Sequence, residues 1–151
     1  MSAENGSPVA VVGGGAWGTA LANAAAAAGR PVTLWLRDAA SAAALEGARE
    51  NARYLPGVKL HPRIRATADA GDLATAGAVL MVTPAQTTRD VLARLAPGFA
   101  PGTPVILCSK GIERTTGAFM SAVAADVLPA GMPVAVLSGP SFAADVLGDS
   151  A

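Results

Sequence analysis

The chain has 151 residues, of which 52% are hydrophobic, 15% charged and 4% aromatic, with 11 basic residues balanced by 11 acidic ones. That is room for one α/β domain with a real core, and a neutral chain without a basic cluster lacks the charge footprint that nucleic acid or an anionic membrane surface requires. One cysteine (Cys108) and one histidine (His61) leave no internal disulfide and no ligand set for a zinc centre.

Residues 1–7 read as a polar tail without the basic and apolar regions of a signal peptide, so a reducing cytoplasm is the expected location. Val9 to Val12 is an apolar, β-branched run, the pattern of a buried strand. Gly13, Gly15 and Gly18 follow as G-x-G-x-x-G, and Thr19 to Ala28 reads as a helix. Strand, glycine turn and helix form the context of a dinucleotide-binding fingerprint. Gly13 permits the tight turn, Gly15 lets a pyrophosphate approach the backbone, and Gly18 lets the helix pack close to the strand. The anion then meets N–H groups at the positive end of the helix dipole.

Gly29 stands where a C-terminal helix cap belongs, and Pro31 stops the helix. The apolar stretch from Ala20 to Gly29 is too short to span a bilayer. Val32 to Leu36 is a second strand, which makes a right-handed βαβ unit with parallel strands. Ala39 to Arg49 reads as an alanine-rich helix and residues 51–58 as a loop broken by Pro56-Gly57. A short strand is expected over Ile64–Thr67, a short helix over Asp69–Ala76 and a third clear strand over Ala78–Val82. Val91, Leu92 and Leu95 give helical spacing to Gln86–Leu95. A turn region (residues 97–104), a strand (Val105–Cys108), a loop (Ser109–Glu113), a helix (Ala118–Leu128) and a strand (Val134–Leu137) come next, and Ala143 to Ala151 starts a further helix or turn. The alternation predicts an α/β, Rossmann-like, doubly wound and mostly parallel sheet, as a single domain over residues 8–151.

Ligands of such sheets sit outside the carboxyl ends of the strands. Four strand-ends should therefore share a crevice with the glycine loop: Arg37-Asp38, Thr83-Pro84, Ser109-Lys110-Gly111 and Ser138-Gly139-Pro140-Ser141. An NAD site normally has an acidic residue near the end of its second strand. Here Arg37 comes first, and its fork of donors suits a 2′-phosphate, so NADP(H) is favoured and NAD(H) stays open. The alternative is an Arg–Asp pair that caps the next helix.

Lys110 is one of two lysines against nine arginines, a compact ammonium that suits a substrate phosphate or carbonyl; the alternative is an exposed loop lysine. Ser138 to Ser141 offers N–H groups and hydroxyls to an anion, or forms an ordinary turn. Cys108 reads as a small buried hydrophobe, His61 as a surface residue and Tyr54-Leu-Pro-Gly57 as a packed turn. Trp17 either lies over the cofactor or packs.

Five stretches together resemble one family: Gly13-Gly-Gly-Ala-Trp-Gly-Thr-Ala-Leu-Ala22, Leu34-Trp-Leu-Arg-Asp38, Asn51-Ala-Arg-Tyr-Leu-Pro-Gly57, Cys108-Ser-Lys-Gly-Ile-Glu113 and Leu137-Ser-Gly-Pro-Ser-Phe-Ala143. They are similar to bacterial NAD(P)-dependent glycerol-3-phosphate dehydrogenase, and the likeness covers nearly everything after residue 7. The resemblance implies reversible hydride transfer between nicotinamide C4 and C2 of dihydroxyacetone phosphate, giving sn-glycerol 3-phosphate for phospholipid synthesis. It implies cofactor contacts at Gly13, Gly15, Ala16, Trp17, Gly18, Arg37, Lys110 and Ala143, and substrate contacts at Lys110, Gly139 and Ser141. Ala16 stands where the family often has Ser, and Leu36 where it commonly has Gly.

The family is about twice as long as this chain, at the usual ~100–200 residues per domain. Its second, helical domain supplies the acid/base lysine, most of the substrate-phosphate site and most of the homodimer contact. The resemblance therefore implies an N-terminal half that holds the cofactor without turnover, since a missing proton donor costs ~10²–10⁴-fold in rate. Another two-domain reductase, of hydroxyacid or ketopantoate type, and a non-enzymatic nucleotide-binding module are the alternatives.

Overall fold

The computed structural model describes residues 6–138. Ten regular elements build it: β1 (Val9–Val12), α1 (Ala16–Ala27), β2 (Val32–Trp35), α2 (Ala39–Ala48), β3 (Ile64–Thr67), β4 (Ala78–Met81), α3 (Ala85–Leu95), β5 (Val105–Leu107), α4 (Met120–Val127) and β6 (Val134–Val136). The six strands form one sheet in the order β3-β2-β1-β4-β5-β6, and every neighbouring pair is parallel. Strand order reverses between β1 and β4, the switch point at which open α/β sheets leave a crevice. Val12 is level with Trp35 on one side and Met81 on the other, so three strands deliver their next residues to the same edge.

Side-chain alternation along each strand divides the core between the two faces of the sheet. Ala10 and Val12 of β1 join Trp35, Val79, Met81, Val105 and Leu107 in a cluster with Leu92 and Leu95 of α3 and Val123 of α4. Val11 points the other way, into a cluster of Val32, Leu34 and Ile64 under Ala22, Ala26 and Leu45. The face that α1 buries is made of alanine with Gly18, Thr19 and Asn23. That lets the helix lie close on β1, and a close helix brings its N-terminus to the crevice.

The observed ends differ from the expected ones for local reasons. Helix α1 starts at Ala16 rather than Thr19, because extended Gly15 serves as its N-cap and Gly18 is tolerated inside the first turn. At the other end Gly29 has φ +93°, and Gly29 N donates to Ala26 O at 3.0 Å while Arg30 N donates to Ala25 O at 3.2 Å. This is a Schellman cap, which only a residue at ease with positive φ closes cheaply. The helix expected over Asp69–Ala76 shrinks to a 3₁₀ turn at Ala70–Leu73, since Asp69 Oδ1 takes the Gly71 N–H at 2.8 Å and Gly77 follows closely. Helix α4 begins two residues late because Ala118 O accepts from Glu113 N and Phe119 bridges Ile112.

Among the described residues, β3 and β6 are the two edges of the sheet. On β3 the Glu46 carboxylate accepts from Ala66 N at 2.7 Å, satisfying an edge donor. On β6, Val134 and Val136 are 40% and 61% exposed. The expected loop after Ser138 and the helix or turn from Ala143 onward lie outside the described residues.

Candidate functional site

The glycine loop is shaped by two close approaches and one open space. Gly13 has φ +121°, and a Cβ there would lie 2.8 Å from Val82 O. A Cβ on Gly18 would lie 2.0 Å from Gly13 O. Both positions are glycine because the fold leaves no room. Gly15 differs, because a Cβ there would meet nothing within 4 Å. Its own fold does not demand glycine, so the missing methyl keeps open the space in front of α1. No side chain caps that helix, and its first-turn N–H groups have no intrahelical acceptor. Open space, unspent donors and the positive end of a helix dipole fit an anion such as a pyrophosphate.

That space belongs to a crevice of about 860 Å³ at the carboxyl edge of the sheet. Gly13, Gly15, Ala16, Trp17 and Gly18 line it from β1 and α1, Arg37 from the end of β2, and Thr83 and Pro84 from the end of β4. Lys110 lines it from the end of β5. The structure thus brings seven of the expected site residues together. Gly139, Ser141 and Ala143 lie outside the described residues.

Arg37 and its neighbour Asp38 are both exposed and both line the crevice, and Asp38 also bonds to Ser41 of α2. Asp38 Oδ2 accepts from Ser41 N at 2.8 Å and from Ser41 Oγ at 2.6 Å, and those bonds hold its carboxyl below the usual range. The N-cap alternative therefore describes Asp38, while Arg37 lines the crevice.

The loop carrying Lys110 is fastened at several points. Ser109 Oγ donates to Thr83 O. Gln86 of α3 donates to Ile112 O at 2.9 Å and accepts from Arg114 N at 3.0 Å. Arg89, also on α3, binds the buried Glu113 carboxylate through two nitrogens at 2.9 and 3.0 Å and reaches Asp126 of α4 at 3.2 Å. Thr116 Oγ1 donates to Glu113 at 2.6 Å. The guanidinium holds the Glu113 carboxyl below its ordinary range, and the two carboxylates raise Arg89 in turn. Lys110 itself is exposed and also borders a smaller cavity of about 300 Å³ against Phe119 and Val136.

Cys108 is 3% exposed, and burial pushes its thiol up to about 11. It is a neutral packing residue at physiological pH. Sequence reasoning takes Tyr54-Leu-Pro-Gly57 for a packed turn, whereas Tyr54 is exposed and lines the crevice together with Arg53, whose guanidinium lies 5.0 Å from the Tyr54 ring centre. Their signal was an aromatic beside a cation in a loop, which reads equally well as packing. Among the described residues, no group of three His, Cys, Asp or Glu could hold a metal, and no helix is long and apolar enough to cross a membrane.

The family profile described as the NAD-dependent glycerol-3-phosphate dehydrogenase N-terminus matches residues 8–151. The chain belongs to this family. It is 70% identical over 146 residues to a glycerol-3-phosphate dehydrogenase (NAD(P)+) of Methylobacterium radiotolerans, covering 97% of this chain and 43% of that protein. A second relative of the same name, from Rhodopseudomonas palustris, is 56% identical over 138 residues, covering 91% and 41%. The crystal structure of glycerol-3-phosphate dehydrogenase from Coxiella burnetii superposes with a TM-score of 0.86 at 30% identity, over 95% of this chain and 44% of that one. The chain thus spans well under half the length of its family relatives. The expected fold and the expected family both hold.

Proposed function

We propose that this chain is the cofactor-holding part of an NAD(P)-dependent sn-glycerol-3-phosphate dehydrogenase, which interconverts dihydroxyacetone phosphate and sn-glycerol 3-phosphate. The observation that carries the reading is the convergence of the open glycine loop, Arg37 and Lys110 on one crevice. The bound nicotinamide would supply or accept the hydride. The loop from Gly13 to Gly18 holds the pyrophosphate on the N-terminal donors of α1, and Trp17 borders it. Arg37, exposed on the crevice, pairs with a ribose 2′-phosphate through its fork of donors. This favours NADP(H) over NAD(H). Lys110, held by its fastened loop, offers a compact positive charge to the substrate phosphate or carbonyl. By the family resemblance Gly139 and Ser141 complete the substrate contacts and Ala143 the cofactor contacts.

By the family resemblance, the acid–base lysine belongs to the part of the family enzyme that this chain does not span. The test is dihydroxyacetone-phosphate-dependent oxidation of NADPH by the chain alone and by a version extended to the relatives' full length. The reading expects turnover only in the extended version, with a raised KM for the ketone in its Lys110→Ala variant. Steady turnover by the 151-residue chain would contradict it.

A further inference from the structure

Asn51 opens the loop after α2 and is 37 residues from the glycine turn, yet its side chain lies against it. The residue is 6% exposed, and its Nδ2 donates to Gly14 O at 2.8 Å and to Thr19 Oγ1 at 2.9 Å. The direction of the amide follows from its partners, since a backbone carbonyl can only accept. Thr19 spends its own hydroxyl hydrogen on Gly15 O at 2.8 Å. One amide thereby holds two consecutive carbonyls, the first directly and the second through a hydroxyl. Asn51 Oδ1 and O in turn accept from Tyr54 N at 3.4 Å and Leu55 N at 2.8 Å, which ties the turn bearing Arg53 and Tyr54 to the same anchor.

A trans peptide is planar, with its N–H opposed to the preceding C=O. Fixing the Gly14 carbonyl against Asn51 therefore aims the Gly15 N–H the other way. Fixing the Gly15 carbonyl aims the Ala16 N–H in the same manner. Gly15 and Ala16 both line the crevice. A residue needed only to fill space at this spot would be apolar, because a buried amide without partners is costly.

We propose that Asn51 is a positioning residue of the dinucleotide site: with Thr19 as its relay, it aims the N–H groups of Gly15 and Ala16 at the pyrophosphate. The proposal rests on the dinucleotide reading above. Its test uses Asn51→Leu, which keeps the bulk and removes the donor, with Thr19→Val and Thr19→Ser, which remove and retain the relay. Each is titrated with NADPH and with 2′-AMP, a ligand without a pyrophosphate, and each is melted. The expected result is a loss of about tenfold or more in NADPH affinity for Asn51→Leu, the loss of roughly one charge-assisted hydrogen bond. Affinity for 2′-AMP should change less than about twofold, because no bond to a pyrophosphate is at stake. Thr19→Val should lose part of the NADPH affinity and Thr19→Ser should keep it, so the pair decides the matter if Asn51→Leu does not fold. Parallel losses for both ligands, or unchanged NADPH affinity in Asn51→Leu and Thr19→Val, would overturn the positioning role. A wild-type chain that fails to bind NADPH would instead overturn the dinucleotide reading.

Discussion

Replacing Gly15 by alanine should separate ligand binding from folding. Gly15 has φ −75° and ψ −173°, a region open to any L-residue, and an added Cβ meets no protein atom within 4 Å. Restricting the unfolded chain stabilises by about 0.4–1 kcal/mol. Alanine is a poorer N-cap than glycine by a comparable amount. The two terms offset, so the melting temperature should stay within about 4 °C of wild type, at ~2–4 °C per kcal/mol for a chain of this size. The methyl nevertheless occupies the space through which an anion reaches the α1 backbone. Losing one N–H bond to a charged group costs about 1.5–3 kcal/mol, and each ~1.4 kcal/mol is tenfold in affinity. The Kd for NADPH should rise roughly ten- to a hundredfold. Calorimetric titration and thermal melting of the same sample read both quantities. Unchanged affinity would refute the anion position at Gly15, and a fall of more than about 10 °C would refute the claim that this space is empty of protein.

Gly18→Ala should behave in the opposite way: its methyl would begin 2.0 Å from Gly13 O, and such overpacking costs about 1–3 kcal/mol, a drop of several degrees in a melting scan. Cys108 couples stability to alkaline pH. Folding favours its neutral thiol, so its contribution is complete below its ordinary value of 9.0 and is lost as pH climbs through about 11. Denaturant titrations at pH 8 and 10.5 should show that extra alkaline loss in wild type and not in Cys108→Ala. Glu113 works at the acid end. Arg89 depresses its carboxyl pKa, so its stabilisation is present at neutral pH and disappears as pH falls below the ordinary carboxylate range. Glu113→Gln should melt lower than wild type at pH 7, with the gap closing as pH falls through the depressed Glu113 pKa.

The fold was legible because strand and helix patterns alternate with little ambiguity, from the β-branched run at Val9–Val12 to the Gly29–Pro31 stop. Helix ends were less legible, because they depend on backbone geometry that the apolar pattern does not record: Gly15 rather than a capping side chain opens α1, and Ala118 stays outside α4 with its carbonyl bonded to Glu113 N. Arg37 and Lys110 could be placed on the crevice because each stands within three residues of the end of an apolar strand, and strand ends define the crevice. Asn51 could not. Its partners are Gly14 and Thr19, and nothing in the local run Asn51-Ala-Arg-Tyr54 separates a loop-starting asparagine from one whose amide is buried under another turn. The Arg89–Glu113 pair was hidden for the same reason, its members standing 24 positions apart.

The measurement that bears most directly on the account is a calorimetric titration of the wild-type chain with NADPH and, separately, with NADH. Saturable one-to-one binding that is tighter for NADPH, with the difference removed in Arg37→Ala, is the result predicted by a crevice in which Arg37 faces the ligand and Asp38 caps α2. Binding of neither nucleotide would contradict the site, and equal affinity for both would contradict the role given to Arg37.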